Sequence, residues 1–98
     1  MERVFIMIAN YIVRTGENSF HSIIFLKNRE VEFTFDDGML YATAISFGVF
    51  RILRKDEANE LYNLFGLNSI MNRINDIGGY FEFKLNDDLD WEKINRII

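Results

Sequence analysis

The sequence predicts an α+β domain: an antiparallel sheet of about five strands, built as a meander of four, then two helices, a fifth strand and a C-terminal helix. Three observations predict it. Residues 30–47 alternate apolar and polar side chains around an Asp-Gly turn. Residues 56–77 space their apolar side chains by three and four. Residues 80–85 return to strict alternation.

The hairpin is the strongest element. Val31, Phe33 and Phe35 share one face of its first strand, and Glu30, Glu32 and Thr34 share the other. Asp36-Asp37-Gly38 supplies a tight turn, because Gly takes the positive φ such turns need. On the return strand Met39, Tyr41, Thr43, Ile45 and Phe47 face one way. Leu40, Ala42, Ala44 and Ser46 face the other, and their small size lets a helix approach closely. A strand apolar on both faces suits an inner position, whereas Val31–Phe35, polar on one side, reads as an edge or half-solvated strand.

Upstream, residues 3–14 are apolar on both faces and rich in β-branched side chains, which favours a central strand over a helix. Asn10 marks a bulge or bend within it. Residues 15–19 form a turn around Gly16, Phe20–Leu26 form the second strand, and Lys27-Asn28-Arg29 connect it to the hairpin. After Gly48, residues 49–53 read as a continuation of the return strand. Asp56 is the expected N-cap of a helix running to Phe65, with Glu57 and Glu60 favourably placed in its first turns and Gly66 ending it. A second helix begins at Asn68 or Ser69, with Ile70, Met71, Ile74 and Ile77 as its stripe, and ends at Gly78-Gly79. Tyr80–Leu85 is the fifth strand, 86–88 a turn and helix cap, and 90–98 a helix with Trp91, Ile94, Ile97 and Ile98 on its apolar side.

Composition narrows the function classes. The 98 residues make one domain, 49% hydrophobic with ten Phe, which is too apolar for a disordered chain. Without Cys there is no disulfide and no thiolate metal site. No apolar run approaches the roughly 20 residues of a membrane span. The opening MERVFIMIANYIVR carries Glu2 and Asn10 and no small-residue cleavage pattern, so it reads as a strand rather than a signal peptide, and the expected location is the cytoplasm. A net charge of −4 repels phosphate over long range and disfavours general nucleic-acid binding.

Few residues carry chemistry. His21 opens the second strand and shares a face with Ile23 and Phe25; as a general base it needs a carboxylate and a pocket beside it. Asp36-Asp37 is turn chemistry before it is a cation site. Asp87, Asp88, Asp90 and Glu92 lack the Gly and the length of a calcium loop, and fit capping and dipole compensation. No phosphate-binding glycine loop occurs. No cofactor or metal is expected.

The sequence therefore favours a non-catalytic protein-interaction module, a small acidic protein of the accessory or inhibitor type, viral examples included, acting on a protein partner or as a homodimer. Val31, Phe33 and Phe35 on the expected edge strand are interface candidates. Trp91, Ile94 and Ile98 on the last helix are the others, docked on their own sheet or on a partner. The alternative is a DNA-binding transcriptional regulator using residues 56–85 as a helix-turn-helix with a wing. It requires Arg51, Arg54, Lys55 and Arg73 to form one basic face, and Tyr62 stands where that motif usually needs a small side chain.

Overall fold

The computed structural model describes residues 9–74 and 79–98. The described chain is an α+β fold with six strands and three helices: β1 Asn10–Gly16, β2 Ser19–Leu26, β3 Arg29–Asp36, β4 Met39–Ser46, β5 Val49–Ile52, α1 Lys55–Leu64, α2 Leu67–Ile74, β6 Tyr80–Phe83 and α3 Trp91–Ile97. One antiparallel sheet contains every strand, in the order β5-β4-β3-β2-β1-β6. Expectations for residues 3–8 of the first strand, and for Ile77 and Gly78 at the end of the second helix, lie outside the described residues.

Alternation decides which face the helices cover. Ile12 pairs with Ser22, Ser22 with Phe33, and Phe33 with Ala42, so these side chains line up on one face. That face holds every buried strand residue: Ile12, Phe20, Ser22, Ile24, Val31, Phe33, Leu40, Ala42 and Ala44. The buried hydroxyl of Ser22 donates to the Tyr11 carbonyl at 2.7 Å, which satisfies it. Ala58 and Leu61 of α1 are buried in the same core as Ala42 and Ala44, so the small residues of β4 do admit a helix. Phe33 sits at the centre with the Tyr62 and Phe65 rings edge-on, at centroid distances of 6.1 and 6.2 Å. A one-residue slip of β3 would exchange Val31 and Phe33 for Glu30 and Glu32, so the register is strongly specified.

Three expectations need correction. The strand carrying Val31, Phe33 and Phe35 lies at the centre of the sheet, not at its edge, with β2 and β4 hydrogen-bonded along its two sides. Its polar alternation reports a solvated face, and a solvated face leaves the same sequence pattern as a free edge. Val31 and Phe33 are wholly buried, so two-fold strand pairing through them has no free backbone to use. The sheet has six strands rather than five, because residues 49–52 turn back along β4 instead of prolonging it. Phe47 and Gly48, at φ +51° and +80°, make that turn. Finally, α1 starts at Lys55 with Arg54 as N-cap, and Glu57 rather than Asp56 caps it by accepting the Arg54 N–H at 3.0 Å.

Smaller points follow the same logic. Asn10 opens β1, and its side-chain oxygen accepts the Phe25 N–H at 2.7 Å in place of a backbone carbonyl. The irregularity in the β1–β2 ladder falls instead between Arg14 and Gly16. Asp90 caps α3 by accepting the Lys93 N–H at 3.2 Å. Ile94 is wholly buried, and Trp91, Ile97 and Ile98 pack half-buried against the same core. The last helix thus packs into the chain's own core, against α1.

Two stability outcomes are expected. Ile94→Ala should cost about 2–4 kcal/mol in urea unfolding without changing mass by light scattering, because its cavity opens inside one chain. Phe47→Asn should raise stability by about 0.5–1 kcal/mol, because Asn tolerates the left-handed conformation that a bulky side chain resists. A melting temperature lowered by that substitution would show that the Phe47 ring holds the turn in place.

Candidate functional site

The face opposite the helices is the most distinctive surface. Cross-strand register places its side chains in rows. One row reads Ile52, Thr43, Glu32, Ile23, Tyr11 and Glu82; a neighbouring row reads Tyr41, Thr34, His21, Val13 and Tyr80. Phe50, Ile45, Glu30 and Phe25 continue the pattern on the other side. None of these residues is buried, and Tyr41, Phe50, Ile52 and Tyr80 are exposed. The face is therefore apolar and aromatic on both flanks, with Glu30 and Glu32 of β3 running down its middle.

Its electrostatics are one-sided. The carboxylates are Glu30, Glu32, Asp36 and Glu82, no strand residue on this face is Lys or Arg, and His21 is its one basic side chain. The field is felt locally. Burial and the Glu32 and Glu30 charges raise the Tyr11 pKa. The hydrogen bond to Glu82, 2.7 Å long, leads the causes that raise the Tyr80 pKa. Both phenols therefore stay neutral donors at physiological pH. Their rings stack at 6.0 Å, and Tyr11 also meets the His21 ring at 6.2 Å.

The face continues into an exposed corner. Every residue of β5 is exposed, and Phe47, Val49, Phe50 and Ile52 are between 70% and 84% exposed. Phe47 holds this exposure in a left-handed conformation that costs a non-glycine residue about 1–3 kcal/mol. Scattered exposed apolar residues are ordinary, but a contiguous cluster rimmed by polar groups marks contact surfaces.

His21 gains neighbours that the linear sequence hides. Thr34 Oγ1 lies 3.4 Å from Nδ1 and Glu32 Oε1 lies 3.8 Å from Nε2. The strand pairing that opposes His21 to Thr34 and Ile23 to Glu32 is what assembles them. The carboxylate distance exceeds a hydrogen bond, and the trio sits on the open sheet face rather than in the main cleft. Among the described residues no three His, Cys, Asp or Glu converge on a metal-sized site. Asp36 accepts the Ser19 hydroxyl at 3.1 Å, Asp37 is in the turn at φ +46°, and Glu92 pairs with Arg96 at 2.9 Å.

The four basic residues do not gather into one patch. Arg51 is held by the Glu57 carboxylate at 3.2 Å and by the Ile97 carbonyl, which ties edge strand β5 to α1 and α3. Arg54 lies 3.5 and 3.6 Å from Asp56 and Glu57. Lys55 begins α1. Arg73 stacks over the Phe81 ring at 4.8 Å, beside β6 at the opposite edge. Five strand spacings, roughly 24 Å, separate the edges. Helices α1 and α2 lie on the sheet, with Leu67 and Ile74 buried and Asn68, Asn72 and Arg73 outward. No described helix is long and apolar enough to cross a membrane.

The Glu57 tether gives a pH signature. The Arg54 N–H, then the Arg51 side-chain bond and the two guanidinium charges, hold the Glu57 carboxyl below the usual glutamate range, against some burial. A depressed folded-state pKa stabilises the fold above the unfolded value and loses that contribution as pH falls through the folded value. Glu57→Gln should therefore lower the melting temperature at neutral pH. The gap should shrink below about pH 4.3 and close once the lowered pKa is passed. A gap independent of pH would assign the loss to packing instead.

Comparison of the chain with protein-family models, with curated proteins and with solved structures finds no match.

Proposed function

We propose that this chain is a non-catalytic protein-interaction module whose contact surface is the open face of the sheet together with the β5 corner. The observation that carries the reading is the pairing of aromatic flanks with a central acidic column that has no Lys or Arg on its own face. Such a surface complements a protein patch that sets Lys or Arg side chains among apolar ones. Face-to-face stacking of two copies is the poorer fit, because it would bring two Glu30–Glu32 columns together without cations. Size supports the reading as well. Six strands averaging roughly six residues give a face of roughly 600 Å² in projection, of the same order as the roughly 800 Å² per partner of an ordinary interface. The strained, exposed Phe47 at that corner is the kind of local cost that contact surfaces carry. The expected cytoplasmic location belongs to this reading.

The test uses nitrogen-15 NMR with two amphipathic helical peptides, one of Leu and Lys and one of Leu and Glu. The basic peptide should shift the amides of Tyr11, Ile23, Thr43 and Phe50, and the acidic one should not. The double variant Glu30→Gln/Glu32→Gln should weaken binding about tenfold. Asp87→Asn/Asp88→Asn changes net charge equally in an exposed turn and should stay within about twofold. Equal losses in the two variants would reduce the effect to bulk charge and overturn the reading. So would a dimer by light scattering that Phe50→Asp/Ile52→Asp returns to monomer, since β5 would then hold a second copy.

A further inference from the structure

The helix-bearing side of the sheet has a feature of its own. α3 meets β3 at Arg29, where the guanidinium donates to Asn95 Oδ1 at 2.8 Å. At the Asp36 end of that strand a cleft of about 530 Å³ opens between the β1–β2 and β3–β4 turns and helices α1 and α2. Its volume falls within the range of small-molecule sites, which run from roughly 300 to 1,000 Å³.

The cleft has an aromatic floor. Phe20 and Phe35 stack at 5.1 Å with planes only 8° apart, and Tyr62 tilts against Phe20 at 6.1 Å. These three rings come from β2, β3 and α1, so the sheet and the helix layer hold the floor together. Burial raises the Tyr62 pKa, which keeps its hydroxyl a neutral donor at physiological pH.

The rim carries basic side chains: Lys55 and Arg14 line the cleft beside Glu17. Arg14 donates to the Glu17 carbonyl at 3.2 Å, and Lys55 is exposed at the start of α1. The Asn59 amide donates to the Lys55 carbonyl at 2.9 Å and lines the same wall. An apolar floor with convergent polar and cationic groups above it is the usual form of a ligand site.

We propose that this cleft binds a small organic anion with an aromatic body, its ring on Phe20, Phe35 and Tyr62 and its acid group toward Lys55. The site meets the open sheet face only at Ser19, which bonds Asp36, and its rings and Lys55 lie on the helix side, so it stands or falls separately from the interaction reading. Rings supply face and edge contacts for a planar body, and the Lys55 ammonium at the rim supplies a positive charge for an acid head group.

The experiment is a nitrogen-15 NMR titration of the full chain with naphthalene-2-sulfonate, and with 2-naphthalenemethanol as its neutral counterpart. The sulfonate should give saturable shifts within residues 17–20, 35–40, 55–62 and 68–71, and should bind about tenfold more tightly than the alcohol. Lys55→Glu, at an exposed first-turn position that accepts an acid, should weaken the sulfonate about tenfold and keep the melting curve. Asn68→Asp, exposed on the same rim, should weaken it in the same direction. Absence of saturable shifts up to roughly 5 mM would overturn the proposal, since binding weaker than millimolar is no site. Equal affinity for sulfonate and alcohol, shifts centred on the open sheet face, or an unaffected Lys55→Glu variant would overturn it too.

Discussion

The structure depends on how helix covers sheet. Among the described residues three helices of ten, eight and seven residues lie against six strands, enough for one layer on one face. Every strand must therefore separate its two faces, and the core forms only where Phe33, Val31, Ile24 and Ile12 all point the same way. Ala42 and Ala44 matter for the same reason. They let α1 settle close to β4 and bury Ala58 and Leu61, instead of standing off on larger side chains.

The uncovered face follows directly. Only β3 solves the problem of solvation in the ordinary way, with Glu30, Glu32 and Thr34 on the wet side. Its neighbours place Ile45, Tyr41, Ile23 and Phe25 there, and the outer strands add Phe50, Ile52, Tyr11 and Tyr80. A chain selected only for a solvated monomer gains nothing from that choice, whereas a contact surface gains apolar area. Under the reading proposed above, the acidic column disfavours stacking on a second copy, because unpaired carboxylates resist burial against one another.

The edges are handled differently. At β5, Arg51 spans from the strand to the Glu57 carboxylate and the Ile97 carbonyl, so one side chain joins an edge strand to two helices. At β6, Phe81 and Phe83 stack at 6.3 Å on the helix side, with Arg73 over Phe81. Arg51 and Arg73 thus act as structural ties at opposite edges of the sheet. The cleft lies between these ties, where the strand turns leave the helix layer open.

Much of this was legible in the residues themselves. The α+β class, the Asp36-Asp37-Gly38 turn, the inward sets of β3 and β4, the helix stripes and the left-handed Gly66 all follow from local periodicity and backbone chemistry, which a chain carries wherever it folds. Strand order does not. Alternation reports how wet a face is and is silent about neighbours, so the central β3 reads either as an edge or as a half-solvated strand, and it is the second. The reversal at Phe47-Gly48 was hidden as well, because a phenylalanine at positive φ is not a turn signal. Neither candidate site could be read along the chain. The open face draws its rows from six strands, and the cleft joins residues from Arg14 to Met71. Local chemistry sets what each segment becomes, whereas contacts between segments distant in sequence are decided by packing alone. The tertiary structure therefore decided where the aromatic flanks, the acidic column and the cleft would meet.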